Sequence, residues 1–307
     1  MDKQTEKKYN YWQWRTLITL MIGYALYYFV RKHFSVVMPA LESELGISKV
    51  QLGLFLTLNG IIYGISRFVN GLLADRFSRK ILMSAGLLLS ALTNFIICFS
   101  PSMNSFVNVL DAEGKATMTL VYIIGSLWVL NGYFQGMGVP PCISLMCHWI
   151  RPSELATKQS IWNASHSIGA GLISVMCGFI LKHYGYSSWQ LCFAIPAAIA
   201  VVGAIALFFT LKDTPSSVGL PEIEDMEKEE GKSQCEVEEN KAKELSGPAF
   251  KKFVNKLVFG NPLIWILAVS NFCIYVVRFT ILDWGTTFLT QFKGMEISAA
   301  GTVVAVS

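Results

Sequence analysis

The chain has 307 residues and a net charge of +4, with 53% of residues hydrophobic and 15% charged, where an ordinary soluble domain carries about 25% charged residues. With a mean hydropathy of +0.46, this balance excludes a soluble domain and a basic nucleic-acid-binding module, and it indicates an all-α polytopic membrane protein. Residues Met1 to Trp14 are polar and the first apolar run is too long for a signal core, so no cleavable signal peptide is expected. A helix crosses the hydrocarbon core in about 20 apolar residues. In chain order the predicted spans are Thr16–Leu41, Val50–Ala74, Ile81–Phe99, Thr119–Ile150, Ala156–Leu181, Gln190–Leu211 and Pro262–Phe292. The fourth contains GYFQGMGVPPC, which breaks regular helix near one end. The closing ISAAGTVVAVS opens a further apolar run.

Between the sixth and seventh spans the composition changes. GLPEIEDMEKEEGKSQCEVEENKAKEL is acidic and lacks aromatics, so it cannot bury a core. The FKKFVNKLV that follows reads as a short basic amphipathic segment on a membrane surface. The expected organisation is a six-helix half at 1–211, a polar central loop at 212–261 and the start of a second half at 262–307. Lys and Arg crowd the N-terminus, the loops after spans two and four, and the central loop, which predicts that these segments are cytoplasmic. Six of the seven cysteines lie in apolar segments and read as packing residues. Cys147 and His148 are adjacent and point to different sides of a helix, so they make no metal site.

The informative residues are charges inside apolar spans. An arginine at the bilayer centre costs about 2.5–3.5 kcal/mol on insertion scales. Arg31 and Arg278 are central in their spans, too deep for their side chains to reach an interface. Arg67 lies nearer a cytoplasmic end, where reaching the interface remains the alternative. Span one holds YFVR, Tyr28 to Arg31, and span seven holds YVVR, Tyr275 to Arg278. Their equivalent positions, six spans apart, fit a transporter of two six-helix halves related by an axis along the membrane normal. Such an axis places Arg31 and Arg278 across one cavity, and two guanidiniums there imply an anion such as phosphate.

Other polar residues fall on shared helix faces. Tyr24, Tyr28 and Arg31 form one stripe; Tyr63 and Arg67 form another; Asn163 and His166 are one turn apart. The tyrosines, Tyr27 above all, have an interfacial aromatic belt as the alternative. His166 has hydrogen-bonded packing as its alternative; as a ligand residue it would follow phosphate protonation. Lys32 points away from Arg31 but adds positive potential. GLLADRFSRK supplies Gly71 for close helix approach, Asp75 as an acceptor, and Arg76, Arg79 and Lys80 as a basic loop.

GYALYYFVRKHFSVVMP, NGYFQGMGVPPC, IWNASHSIGAG, LKDTPSSVGLP and YVVRFTILDWGTTFL together resemble the organophosphate:phosphate antiporters of the major facilitator superfamily. GLLADRFSRK is similar to that superfamily's signature loop between helices two and three. The resemblance runs from span one to span seven. It implies that Arg31 and Arg278 hold the substrate phosphate, and that His166, Asn163, Tyr24, Tyr28 and Tyr63 surround it. Arg67 stands where much of the family has lysine. Family members have twelve helices, so the resemblance also implies that this chain stops inside helix eight.

The expected function is exchange of an organic phosphate ester for inorganic phosphate by alternating access, with hexose 6-phosphate preferred over glycerol 3-phosphate. The alternative is a membrane receptor for sugar phosphates, whose partner would be a sensor kinase. An enzyme is not expected, and no cofactor, metal or nucleic acid is implied. The expected location is a bacterial inner membrane, multi-pass, with the N-terminus cytoplasmic.

Overall fold

In hydrocarbon every backbone amide must find its partner within the protein, and a helix does so within one segment. The computed structural model describes residues 3–74, 76–223 and 260–306. Its helices are α1 (Lys3–Leu45), α2 (Lys49–Ala74), α3 (Arg79–Phe99), α4 (Met118–Gln135), α5 (Val139–Trp149), α6 (Pro152–Tyr184), α7 (Leu191–Thr210), α8 (Pro262–Gln291) and α9 (Ile297–Val306). Among the described residues five helical stretches are long and apolar enough to cross a membrane: α2, α3 with the 3-10 turn that extends it to Ser105, α6, α7 with the turn from Tyr186, and α8.

Two predicted spans are corrected. The helix that carries the first starts before Thr16, at Lys3. Its polar first turns persist because they find partners at one end of the bundle. The Tyr9 hydroxyl donates to the Trp149 carbonyl at 3.2 Å, and Trp12 stacks on Trp149 at 5.9 Å. The Lys158 ammonium bridges Gln13 and Glu154, at 2.6 Å each. The fourth span is two helices, α4 and α5, parted at residues 136–138. The glycines there serve close packing: a Cβ on Gly136 would collide with the Ser66 side chain, and one on Gly138 would sit 3.2 Å from the Tyr27 ring. Proline in the first turn of α5 then restarts the helix.

The same end of the bundle anchors the segment after α7. Asp213 accepts from the Ser78 hydroxyl at 2.5 Å and the Lys80 backbone N–H at 2.9 Å. A carboxylate at this N-terminus of α3 answers both the unsatisfied amides and the positive end of the helix dipole. The core lies between α1, α4 and α7, where Phe34 stacks on Trp128 at 4.1 Å and the Phe193 ring meets His33 edge-on at 4.5 Å. Cys98, Cys142, Cys177 and Cys192 are buried, while Cys147 and Cys273 are exposed. Cys235, the acidic stretch and the FKKFVNKLV segment lie outside the described residues.

Contacts divide the chain into two compact units, Met1–Leu220 with Leu282–Ser307, and Pro221–Ile281. In the second, the described helix is the part of α8 up to Ile281, with mostly exposed apolar side chains. In the first, α9 lies along α6 through small residues. A Cβ on Gly301 would sit 3.0 Å from the Ser174 carbonyl oxygen, and one on Gly178 would sit 3.2 Å from Ser298 Cα. Glu296 closes the seam on Lys182 at 2.9 Å. Overpacking such a contact costs about 1–3 kcal/mol. Gly301→Leu is therefore expected to lower the thermal unfolding midpoint in detergent, whereas Thr302→Leu, whose side chain is exposed, leaves it near that of the unaltered protein.

Candidate functional site

The site grows from three helix faces within the first unit. On α1 the spacing of four and three residues stacks Tyr24, Tyr28 and Arg31 on one stripe. Tyr63 and Arg67 come from α2; Trp162 and His166 come from α6. The Arg31 guanidinium carbon lies 3.9 Å from the centre of the Tyr63 ring and 5.7 Å from that of Tyr28. Arg67 approaches the Tyr63 ring at 5.5 Å. Tyr24 meets Tyr28 edge-on at 5.5 Å and stacks on Trp162 at 4.7 Å. Tyr28 reaches His166 at 5.6 Å.

This arrangement has a definite electrostatic character. Among the described residues no carboxylate lies within 4.0 Å of Arg31 or Arg67. The guanidinium is held by aromatic faces instead. A ring quadrupole attracts a cation without cancelling its charge, so the cluster keeps its positive potential. His166, 8% exposed, sets its Nδ1 against the Asn163 carbonyl and its Nε2 3.5 Å from the Ser167 hydroxyl.

The structure brings together Tyr24, Tyr28, Arg31, Tyr63, Arg67 and His166. Asn163 supports His166 through its backbone carbonyl, and its side chain is exposed. Tyr27 is neither belt nor ligand: it is buried, and its hydroxyl donates to the Met83 carbonyl at 2.6 Å. Lys32 forms a 2.6 Å ion pair with Asp283 of α8, and the Ser35 hydroxyl donates to the same oxygen at 3.2 Å. Arg278 lies half-buried on α8 in the second unit. In the basic loop, Arg76 is exposed, the Arg79 Nε–H donates to Ser144 at 2.7 Å, and the Lys80 ammonium lies 5.2 Å from the Phe208 ring. Asp75 lies outside the described residues. No described atom comes within 4 Å of a Cβ built on Gly71, so the close approach expected there does not occur among the described residues.

Two residues escaped the sequence reading. Asp283 is an acid inside an apolar span, and the rule that singled out the arginines applied equally to it. Trp162 gave no signal, since a tryptophan on an apolar helix ordinarily packs.

Residues 20–307 match the model of the Major Facilitator Superfamily. The chain belongs to that superfamily. It is 36% identical over 294 residues to a probable hexose phosphate transport protein of Chlamydia pneumoniae, covering 94% of this chain and 59% of that protein. It is 35% identical over 297 residues to a glycerol-3-phosphate transporter of Bacillus subtilis, covering 96% and 61%. It is 32% identical over 301 residues to the membrane sensor protein UhpC of Escherichia coli, covering 98% and 62%. These relatives are consistent with the organophosphate:phosphate antiporter family, and the chain spans about three fifths of their length. The fold is that of a bacterial homolog to the human lysosomal transporter Spinster, with a TM-score of 0.70 at 18% identity over 96% of this chain and 60% of that one. By name two of these relatives are transport proteins and the third is a membrane sensor.

The Lys32–Asp283 pair yields a measurable expectation. The Lys32 side chain is 6% exposed and that of Asp283 22%, so removing one partner strands a poorly hydrated charge, at about 3–5 kcal/mol for a fully buried pair. Asp283→Asn is expected to destabilise the protein strongly. Adding Lys32→Met is expected to recover most of that loss, as a double-mutant cycle of thermal unfolding would record.

Proposed function

We propose that the protein exchanges an organic phosphate ester for inorganic phosphate across a bacterial inner membrane by alternating access, with hexose 6-phosphate preferred and glycerol 3-phosphate accepted. The observation that carries this reading is Arg31, seated 3.9 Å over Tyr63 with no described carboxylate beside it. A guanidinium offers a planar fork that fits two phosphate oxygens, and the surrounding tyrosines and His166 offer hydroxyl and imidazole groups for the remainder of the ligand. Arg278 is the second proposed phosphate ligand, on the strength of the repeated Tyr-x-Val-Arg string. Asp283 supplies an internal negative charge for Lys32 on the turn next to Arg31, so an arriving phosphate alters the balance that ties α1 to α8. The six-helix half at 1–211, the central loop at 212–261 and the beginning of a second half at 262–307 are the proposed units of rocking. The names of the relatives support the substrate class: one concerns hexose phosphate and another glycerol 3-phosphate.

The second reading is a sugar-phosphate receptor acting on a sensor kinase, favoured by the 32% identity to a membrane sensor protein. Proteoliposomes of the full-length protein separate the two. A carrier takes up labelled glucose 6-phosphate only when phosphate is inside. Arg31→Lys and Arg278→Lys each abolish that uptake while insertion is retained, because an ammonium cannot reproduce the bidentate fork. Binding of glucose 6-phosphate without flux indicates the receptor, and near-normal exchange by either lysine variant refutes the clamp.

The proposed cytoplasmic N-terminus and central loop have their own test. Cys235 should resist an impermeant thiol reagent applied to intact cells and should react once the membrane is opened. Ready labelling of intact cells would reverse the orientation.

A further inference from the structure

Helix α1 bends at Val30, whose φ of −94° and ψ of 20° are not helical. Such dihedrals lie in the sparsely allowed bridge region. Neither usual local cause is at hand: Val30 is β-branched, and the one proline of α1, Pro39, lies nine residues further on. A side chain inserted into the helical hydrogen-bond ladder is another cause of a sharp bend. Here there are two. The Asn131 side-chain amide of α4 donates to the Val30 carbonyl at 3.0 Å, and that of Asn94 on α3 does so at 3.3 Å. Both asparagines are 0% exposed. They are held in turn: Asn94 also donates to the Ser90 carbonyl at 2.7 Å, and the Thr93 hydroxyl lies 3.5 Å from the Asn131 side-chain oxygen.

We propose that Asn131 and Asn94 are positioning residues for Arg31: by holding the Val30 carbonyl they fix the bend that directs the guanidinium onto Tyr63. The inference rests on the reading of Arg31 as a phosphate ligand. Arg31 is the first residue beyond the bend, so the Val30 dihedrals set its direction relative to Tyr24 and Tyr28. Two buried carboxamides are a costly way to join helices unless their donors are satisfied. Their common target is the one carbonyl whose release reorients the arginine. Small displacements of a ligand-binding group weaken binding steeply, so the device acts on affinity and not only on stability.

The test measures inorganic phosphate binding to the full-length purified protein, alongside its thermal unfolding. Asn131→Leu keeps the branching and removes the donor; Asn131→Asp keeps the shape and replaces the amide. Each is expected to weaken phosphate binding by about tenfold, or ~1.4 kcal/mol. Asn94→Leu, which removes only the longer bond, is expected to weaken it by about threefold and serves if the Asn131 variants fail to insert. The control is Tyr27→Phe, which deletes another buried bond between α1 and α3 without touching Val30; it is expected to lower stability and keep the wild-type dissociation constant. The proposal is overturned if the asparagine variants bind phosphate like the wild type, or if Tyr27→Phe weakens binding as much for the same stability loss. A wild type that binds no phosphate overturns the reading of Arg31 itself, and the inference with it.

Discussion

The structure depends on keeping a guanidinium charged in a setting that resists charge. Arg31 is half-buried on α1, and an unsupported charge withdrawn from water costs several kcal/mol. Pairing it with a carboxylate would cancel the positive field it sets up. Tyr63 and Tyr28 resolve the conflict with aromatic faces, which hold the cation and leave its charge in place. The neighbouring lysine is handled the other way, since Lys32 is neutralised by Asp283 at 2.6 Å. Adjacent residues thus meet their charge in two ways, one cation against aromatic rings and one against a carboxylate of α8.

That requirement propagates outward through packing. Tyr24 is wedged against Trp162, and Tyr28 against His166, so α6 fixes the tyrosines that flank the arginine on α1. Tyr27, on a different face of α1, is locked to the Met83 carbonyl, and the glycines at 86 and 138 leave room for its ring. The break between α4 and α5 is part of the same fit, since it brings Gly136 against Ser66 on α2, the residue before Arg67.

Much of this was legible in the sequence, and the reasons are physical. Hydropathy alone locates most helices, because a span has to be apolar for its full length; Ile81–Phe99 was expected, and Arg79–Phe99 is found. The charged residues were legible because hydrocarbon makes them conspicuous. The helical start at Lys3 was not, since polar turns are stabilised there by tertiary partners such as Trp149 and Glu154, which no local pattern announces. Gly136 to Gly138 announced a break, but not that α5 would resume as a separate helix. The bend at Val30 was invisible for a different reason: valine carries no kink signal, and the bend comes from asparagines 64 and 101 residues away. Asp283 was as conspicuous as Arg31 and went unread beside the tetrapeptide repeat.

The seam between α6 and α9 has a mechanical consequence. Large side chains interlock like teeth, so helices that mesh through them move only by steps from one notch to the next. Gly171, Ser174 and Gly178 facing Ser298, Gly301 and Ala305 present almost no teeth. Such a surface is a slip plane: it resists separation, because backbones lie close, yet offers little friction to sliding along its length. Lys182 and Glu296, both about half exposed at one end of it, join the two helices there through long flexible arms, so the link tolerates a change of register that a backbone contact would not.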